Sequence, residues 1–249
     1  MKKEIRIDEL RVMMLDALTL RGIGSEDADF IVDDFLDAEL EGHKTHGVSK
    51  FLTLDIGLSG RESGIEIVRQ TDGHAKIDGH RELGHIAARQ AAAFSVELAK
   101  EYGVGLVALT NVSRYARLVP YSRLIAERGC IGIVTNNGGP AHVVPFGGSA
   151  PMFGTNPLSF GFPQGEKPPL LFDFATAQGV WGELRQAIVE ERSLPERTFL
   201  DAAGAFTTDP QRVQGVLPFG GARGAALCMA LEILTGAFVG AKMGGEIRD

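Results

Sequence analysis

The chain is poor in the features that mark most specialised functions. Its 249 residues include two cysteines, Cys130 and Cys228, far apart and in apolar surroundings. They read as small buried hydrophobes in a reducing compartment, and a disulfide or thiolate metal pair is not expected. No apolar run approaches the ~20 residues that span a bilayer, which excludes a helical membrane protein. The opening Met1-Lys2-Lys3-Glu4-Ile5 lacks the apolar core of a signal peptide, so a cytoplasmic location is expected. Lys and Arg form no cluster, and the net charge is −7, which argues against a nucleic-acid partner. There is no Walker loop and no Gly-x-Ser-x-Gly. The single Gly-x-Gly-x-x-Ala match, Gly103 to Ala108, follows an expected helix and leads into an expected strand. That is the wrong context for a Rossmann fingerprint, whose glycines open a helix onto a pyrophosphate. Internal repeats and low-complexity tracts are absent.

What the chain does have is ordinary globular composition, 44% hydrophobic and 23% charged, with 32 glycines that imply many turns. Its most informative stretch is Gly42-His43-Lys44-Thr45-His46-Gly47-Val48-Ser49-Lys50-Phe51. A histidine beside a hydroxyl, with a cation four residues on, suits a small anionic carbonyl compound. The imidazole can give a proton to the carbonyl oxygen and the cation can hold the carboxylate. The plain alternative is a polar helix-to-helix turn. His43-x-x-His46 offers half a metal site without a third ligand, so no metal is expected. His74, His80, His85 and His142 read as surface or turn residues.

The periodicity predicts helices over Asp8–Leu20, capped by Asp8, and from Ser25 to Leu40, capped by Ser25. The second buries Ala28, Ile31, Phe35 and Ala38. A third is predicted from Phe51 to Leu58. Strands are expected at Ile65–Arg69 and Ala75–Asp78 around the turn Asp72-Gly73. A helix over Ile86–Tyr102, a strand over Val104–Leu109, a helix over Tyr115–Arg128 and a strand over Cys130–Thr135 follow. Pro120 must lie in the first turn of its helix or kink it. The Gly- and Pro-rich stretch Asn136–Pro163 carries Val143, Val144, Phe146, Met152 and Phe153, which favour an ordered loop over a linker. Leu158–Phe162 and Leu170–Phe172 read as buried strands and Val180–Glu191 as a helix. Asp201–Gly204 reads as a turn, and Gly224–Val239 as a strongly apolar helix. The fold class is α/β (α+β), a mixed sheet covered by helices, with a small N-terminal helical cap. Residues 1–60 form that cap, 61–130 a substrate-side subdomain, and 131–249 a nucleotide-binding sheet domain.

Four segments occur in order: Thr45-His46-Gly47-Val48, Gly154-Thr155-Asn156-Pro157, Leu171 to Thr176, and Leu217-Pro218-Phe219-Gly220-Gly221. With Thr207-Thr208-Asp209-Pro210, they make the chain resemble the malate/L-lactate dehydrogenase family, over nearly its whole length. The resemblance implies a non-Rossmann fold and NAD or NADP as cofactor. It also implies hydride transfer to or from a small 2-oxo or 2-hydroxy acid or a cyclic imino acid. By the resemblance, His46 is the proton donor and Asp173 its partner carboxylate. Substrate contacts fall on Thr45, Lys50, Arg114 and Asn156. Cofactor contacts fall on Asn137, Leu171, Phe172, Phe174, Ala175, Thr176, Gly221 and Arg223. A homodimer is implied as well, and the apolar helix Gly224–Val239 suits one.

The chain departs from that pattern. Lys50 stands for an arginine and so lacks its bidentate fork. Arg114 stands for a histidine, and Gly220-Gly221-Ala222-Arg223-Gly224 for Gly-Gly-His-Lys-Gly. Relatives run on for roughly a hundred residues more. These departures leave open a non-catalytic relative that binds a metabolite or a partner chain.

Overall fold

The computed structural model describes residues 4–54, 62 and 64–247. The N-terminal helices form where apolar residues recur every three or four positions. Helix α1 (Ile7–Thr19) buries Met14 and Leu18, and α2 (Ser25–Leu40) buries Ala28, Ile31, Phe35 and Ala38. Both expected caps are displaced. Arg6 and Gly24 take the extended N-cap conformation, so Asp8 and Ser25 already lie inside the first turns. Asp8 instead pairs with the Arg6 guanidinium at 2.9 and 3.0 Å. Helix α3 is a short turn, Val48–Phe51, that begins before the expected Phe51. Residues 55–58 of that expectation lie outside the described residues. The three helices pack with Leu83 and Ile86 into one apolar cluster.

Strands β1 (Glu66–Thr71) and β2 (His74–Asp78) form an antiparallel hairpin on Asp72-Gly73. Helix α4 (Gly84–Tyr102) ends at Gly103, which is left-handed at φ +84°, and returns the chain to β3 (Leu106–Thr110). β3 runs parallel to β2, from His74 opposite Leu106 to Asp78 opposite Thr110. The Gly103–Ala108 segment therefore closes a helix and opens a strand, as read from the sequence. Gly105 passes so close to the Ser95 carbonyl that no side chain fits.

Helix α5 (Val119–Glu127) starts later than Tyr115, with Pro120 in its first turn. Proline has no N–H to give and collides with the carbonyl four residues back, so the helix can begin only next to it. Beneath α5 lies the antiparallel sheet β4 (Gly132–Thr135), β5 (Leu158–Gln164), β6 (Lys167–Phe174). The buried Ser122 and Ser159 hydroxyls join helix to sheet at 2.7 Å. β6 corrects one expectation. Leu170 and Phe172 are 45% and 48% exposed, although a buried strand was predicted. Side chains alternate across a strand. Asp173 takes the α5 side, which leaves Leu170 and Phe172 on the face away from that helix.

Helix α6 (Trp181–Val189) precedes a small third sheet of β7 (Phe199–Leu200), β8 (Phe206–Thr207) and β9 (Gly215–Val216). The turn at Asp201 is held by its carboxylate, which accepts the Ala203 and Ala205 N–H groups. Helix α7 (Ala222–Glu232) starts two residues before Gly224 and loosens into a π-helical turn over Ile233–Ala237. Met229, Ile233, Leu234 and Phe238 stay exposed along it. The loop after β4 is ordered. Val143 is buried and bridges both Phe153 and Val216, while Phe146 and Met152 are exposed. The fold is α/β, with the strands of the described residues divided among three three-stranded sheets.

Candidate active site

The His46 turn is clasped by the end of α2. The His43 N–H donates to the Ala38 carbonyl and the His46 N–H to the His43 carbonyl, both at 2.8 Å. Glu39 Oε2 accepts the Val48 N–H at 3.0 Å and crowds the space where a side chain at Gly47 would sit. Thr45 Oγ1 lies 2.9 Å from His46 Nδ1. The other ring nitrogen, Nε2, has no hydrogen-bond partner among the described residues. Burial pushes the His46 imidazole down to about 4, and the charges of Arg117, Lys50 and His43 add to the effect. The ring is therefore neutral at pH 7.

Asp173 does not meet this ring. Its Oδ2 accepts the Leu118 and Val119 N–H groups at 3.1 and 2.9 Å, capping α5. The expected imidazole–carboxylate pair is thereby corrected. The unpaired amides of a helix start attract the carboxylate more directly than a ring held by Thr45. Burial still raises the Asp173 carboxyl, opposed first by those two amides and then by Arg117 and His43.

Arg117 ties the site to the cap. It donates to buried Asp34 Oδ1 at 2.9 Å, to the Asp34 carbonyl at 3.0 Å and to Glu41 at 2.6 Å. Burial outweighs this pairing and pushes the Asp34 carboxyl up to about 6. His85, read as a surface or turn residue, is instead 1% exposed inside α4, 3.8 Å from Asp34 Oδ2. Burial pushes its imidazole down to about 4.

His46, Thr45, Lys50, Arg114, Asn137 and Asp173 line one open cleft of about 2860 Å³. Leu171, Phe174 and Ala175 line it too, whereas Phe172, Asn156, Thr176, Gly221 and Arg223 do not. Asn156 is 0% exposed at φ +36° and fully used inside the protein. Its amide donates to Glu232 at 2.7 Å and to the Cys228 carbonyl at 3.0 Å, and its oxygen accepts the Gly138 N–H. The Thr176 hydroxyl is spent on the Thr155 and Asn156 carbonyls. Buried polar groups must be paired, and these two are paired inward, which places the Gly138 loop against α7.

Three cleft residues, Trp181, Arg185 and Asn136, carry no mark in the sequence reading, and His142, read as a surface or turn residue, lines the cleft as well. Trp181 stacks on His142 at 4.0 Å and 6°. Arg185 lies one helical turn beyond Trp181, and Asn136 Oδ1 is buried without a partner. The spacing Trp181-x-x-x-Arg185 was the available signal for two of them. The cleft exceeds the ~300–1,000 Å³ of a single small-ligand pocket. An orphaned acceptor on its wall and the open backbone at Gly139 (φ +84°, no atom within 4 Å of a side-chain position) suit a large ligand with amide donors. The residues thus fit a nicotinamide dinucleotide.

The malate/L-lactate dehydrogenase model matches residues 5–249. The chain belongs to that family. L-sulfolactate dehydrogenase of Methanothermobacter thermautotrophicus is 35% identical over 96% of this chain and 71% of the relative. Delta(1)-pyrroline-2-carboxylate reductase 1 of Burkholderia ambifaria is 30% identical over 95% of this chain and 71% of that protein. The solved structure of sulfolactate dehydrogenase from Methanocaldococcus jannaschii superposes with TM-score 0.87 at 33% identity, covering 98% of this chain and 72% of that one. As a malate/L-lactate dehydrogenase family member, the chain is an oxidoreductase of a nicotinamide-dependent class. No helix among the described residues is long and apolar enough to cross a membrane.

Proposed function

We propose that this family member interconverts a small 2-oxo acid, or cyclic imino acid, with its reduced form, and that His46 moves the proton. The observation that carries the reading is the His46 ring. Thr45 fixes one nitrogen, and the other has no partner within a cleft that also holds Lys50. In reduction, His46 Nε2 gives a proton to the substrate oxygen or ring nitrogen. In oxidation it takes the proton back. A bound nicotinamide cofactor supplies or accepts the hydride. Asn136, Asn137 and the Gly138-Gly139 backbone are its proposed seat, with Leu171, Phe174 and Ala175 along the opposite strand. Lys50 and Arg114 hold the carboxylate next to the reacting carbon. Asp173 acts by fixing the start of α5. The test is reduction of pyruvate, oxaloacetate, 2-oxoglutarate and piperideine-2-carboxylate with NADH and with NADPH. No oxidation of either cofactor with any of them would sink the reading.

The low His46 value gives a pH signature. A proton donor must be protonated, and the free-enzyme donor loses its proton above about 4. So kcat/KM for reduction falls about tenfold per pH unit between roughly pH 5 and 7. For oxidation, which needs the neutral ring, kcat/KM is flat over the same range. A reduction profile that is flat from pH 5 to 7 would remove His46 as the donor.

We also propose a homodimer or larger assembly in the cytoplasm. Exposed Met229, Ile233, Leu234 and Phe238 along α7 and its π-turn support the assembly. The two free cysteines support a reducing compartment. Light scattering at micromolar concentration is expected to give at least twice the 26.6 kDa chain mass. A monomer would contradict the assembly.

A further inference from the structure

Glu232 is the last residue of α7 and is 1% exposed. No cation pairs with it among the described residues. Each of its oxygens instead accepts an N–H group from a different segment. Oε2 takes the Asn156 side-chain amide at 2.7 Å, and Oε1 takes the Gly244 backbone N–H at 2.6 Å. A buried carboxylate needs its acceptors filled, so these contacts hold both donors in place. Glu232 does not line the cleft, and the proposed proton transfer does not use it.

Both contacts lead to one loop. A side-chain amide has a donor end and an acceptor end, and its neighbours decide which way round it sits. Asn156 Nδ2 faces two acceptors, Glu232 and the Cys228 carbonyl, which turns Oδ1 toward the Gly138 N–H at 3.0 Å. The reverse orientation would set oxygen against oxygen at one end and N–H against N–H at the other. The Asn156 backbone is left-handed at φ +36°, a conformation uncommon outside glycine. Gly138 lies so close that a side chain there would meet Thr155 Oγ1 at 2.6 Å. The second contact works through the chain after α7. Gly244 is left-handed at φ +47°, and a side chain there would collide with the Met152 carbonyl. Two residues earlier, the Lys242 carbonyl accepts the Asn137 side-chain amide at 2.7 Å. Asn137, Gly138 and Gly139 all line the cleft.

We infer that Glu232 is a positioning residue for the nicotinamide cofactor, holding the Asn137–Gly139 loop in place from inside the protein. It acts through Asn156 on one side and through the Gly244 turn on the other, and it touches no ligand. The inference rests on the proposed oxidoreductase reading, which makes that loop part of the cofactor seat.

The test compares the wild-type chain with Glu232→Gln, Glu232→Leu and Leu231→Ala, the last emptying a buried apolar position on the same helix. Glu232→Gln keeps the shape but has one acceptor oxygen where the carboxylate has two, so its NH₂ must face an N–H group. Quenching of nicotinamide fluorescence gives Kd for NADH and for NADPH. Hydrogen exchange over the segment containing Gly138 reads the loop without any ligand. One buried hydrogen bond left unmade is worth about tenfold, so Glu232→Gln should raise the Kd of the preferred cofactor by about that factor. Glu232→Leu, with no acceptor, should raise it further, and both should speed exchange at Gly138. The cofactor KM should rise in step with Kd while kcat stays within about twofold, as expected for a residue that acts on binding alone. Leu231→Ala should lower Tm and leave Kd within about twofold, since it removes packing and no part of the network. Glu232 variants that lose Tm like Leu231→Ala, with Kd unchanged, would show a purely structural role and overturn the inference. Unchanged exchange at Gly138 in Glu232→Gln would overturn it as well. In either case cofactor binding by the wild type leaves the oxidoreductase reading standing. No binding of NADH or NADPH by the wild type discards that reading and this inference together.

Discussion

His46→Ala is expected to lower kcat by about 10²- to 10⁴-fold, the usual share of a positioned general acid or base. Cofactor binding, read by quenching of nicotinamide fluorescence, should stay nearly intact, because the proposed cofactor seat lies on Asn136–Gly139 and β6. Thr45 Oγ1 occupies Nδ1 at 2.9 Å, which leaves Nε2 as the one ring atom able to exchange a proton with a ligand. Thr45→Val separates orientation from chemistry. It keeps the shape and removes the hydroxyl, so the ring loses its anchor but not its basicity. A fall in kcat smaller than that of His46→Ala, with the same pH profile, is expected. Wild-type turnover in His46→Ala would show that another group moves the proton. Lost cofactor binding in that variant would place His46 in the cofactor site instead.

Arg117→Met is expected to have the largest effect on stability, about 3–5 kcal/mol, because it strands a buried charge. Asp34 would lose two of its donors and sits at 3% exposure among apolar residues of the helical cap. The pH dependence identifies the cause. In the native chain Asp34 holds its proton up to about 6, against 3.8 when exposed. The folded state therefore binds more protons than the unfolded state between those values, and this group's contribution weakens as pH rises through them. Without Arg117 the folded value climbs further, so the variant's deficit should be smaller at pH 5 than at pH 8. Urea titrations at the two pH values measure it. A deficit independent of pH would mean that Arg117 matters for its packing alone. Arg117→Met combined with Asp34→Leu should recover much of the loss, since a matched apolar pair can replace a buried ion pair.

Much of this was legible in the sequence because it depends on local spacing. The buried positions of α2 follow from a 3.6-residue period, and Ala28, Ile31, Phe35 and Ala38 are all inside. Pro120 fits a helix unkinked only in its first turn, where it stands. His46 and Lys50, four apart, reach one cleft because a turn and a short helix carry them. What depended on distant partners was not legible. Which donor a carboxylate meets is a tertiary fact, so Asp173 was given an imidazole and holds two amides. Asn156 sits in a conspicuous motif, but its amide was committed to Glu232 and Cys228, on a helix far along the chain. Nothing local marks Arg185 as a cleft residue; the packing of its helix against Thr45 at Gly182 does. The two caps lie two residues and one residue earlier than expected because Arg6 and Gly24, without capping side-chain bonds, take the extended conformation.

Gly182 carries a consequence for how this chain can vary. Thr45, whose hydroxyl steadies His46, puts its Cβ and methyl carbon 2.7 Å from where a side chain at position 182 of α6 would begin. No larger residue can be accommodated at position 182 unless Thr45 yields, and Thr45 cannot yield without turning the imidazole. The aim of the proposed proton donor is thus inherited from an atom that is not there. Random mutagenesis that leaves activity standing should return alanine or larger residues freely on the outer face of α6 and almost none at position 182.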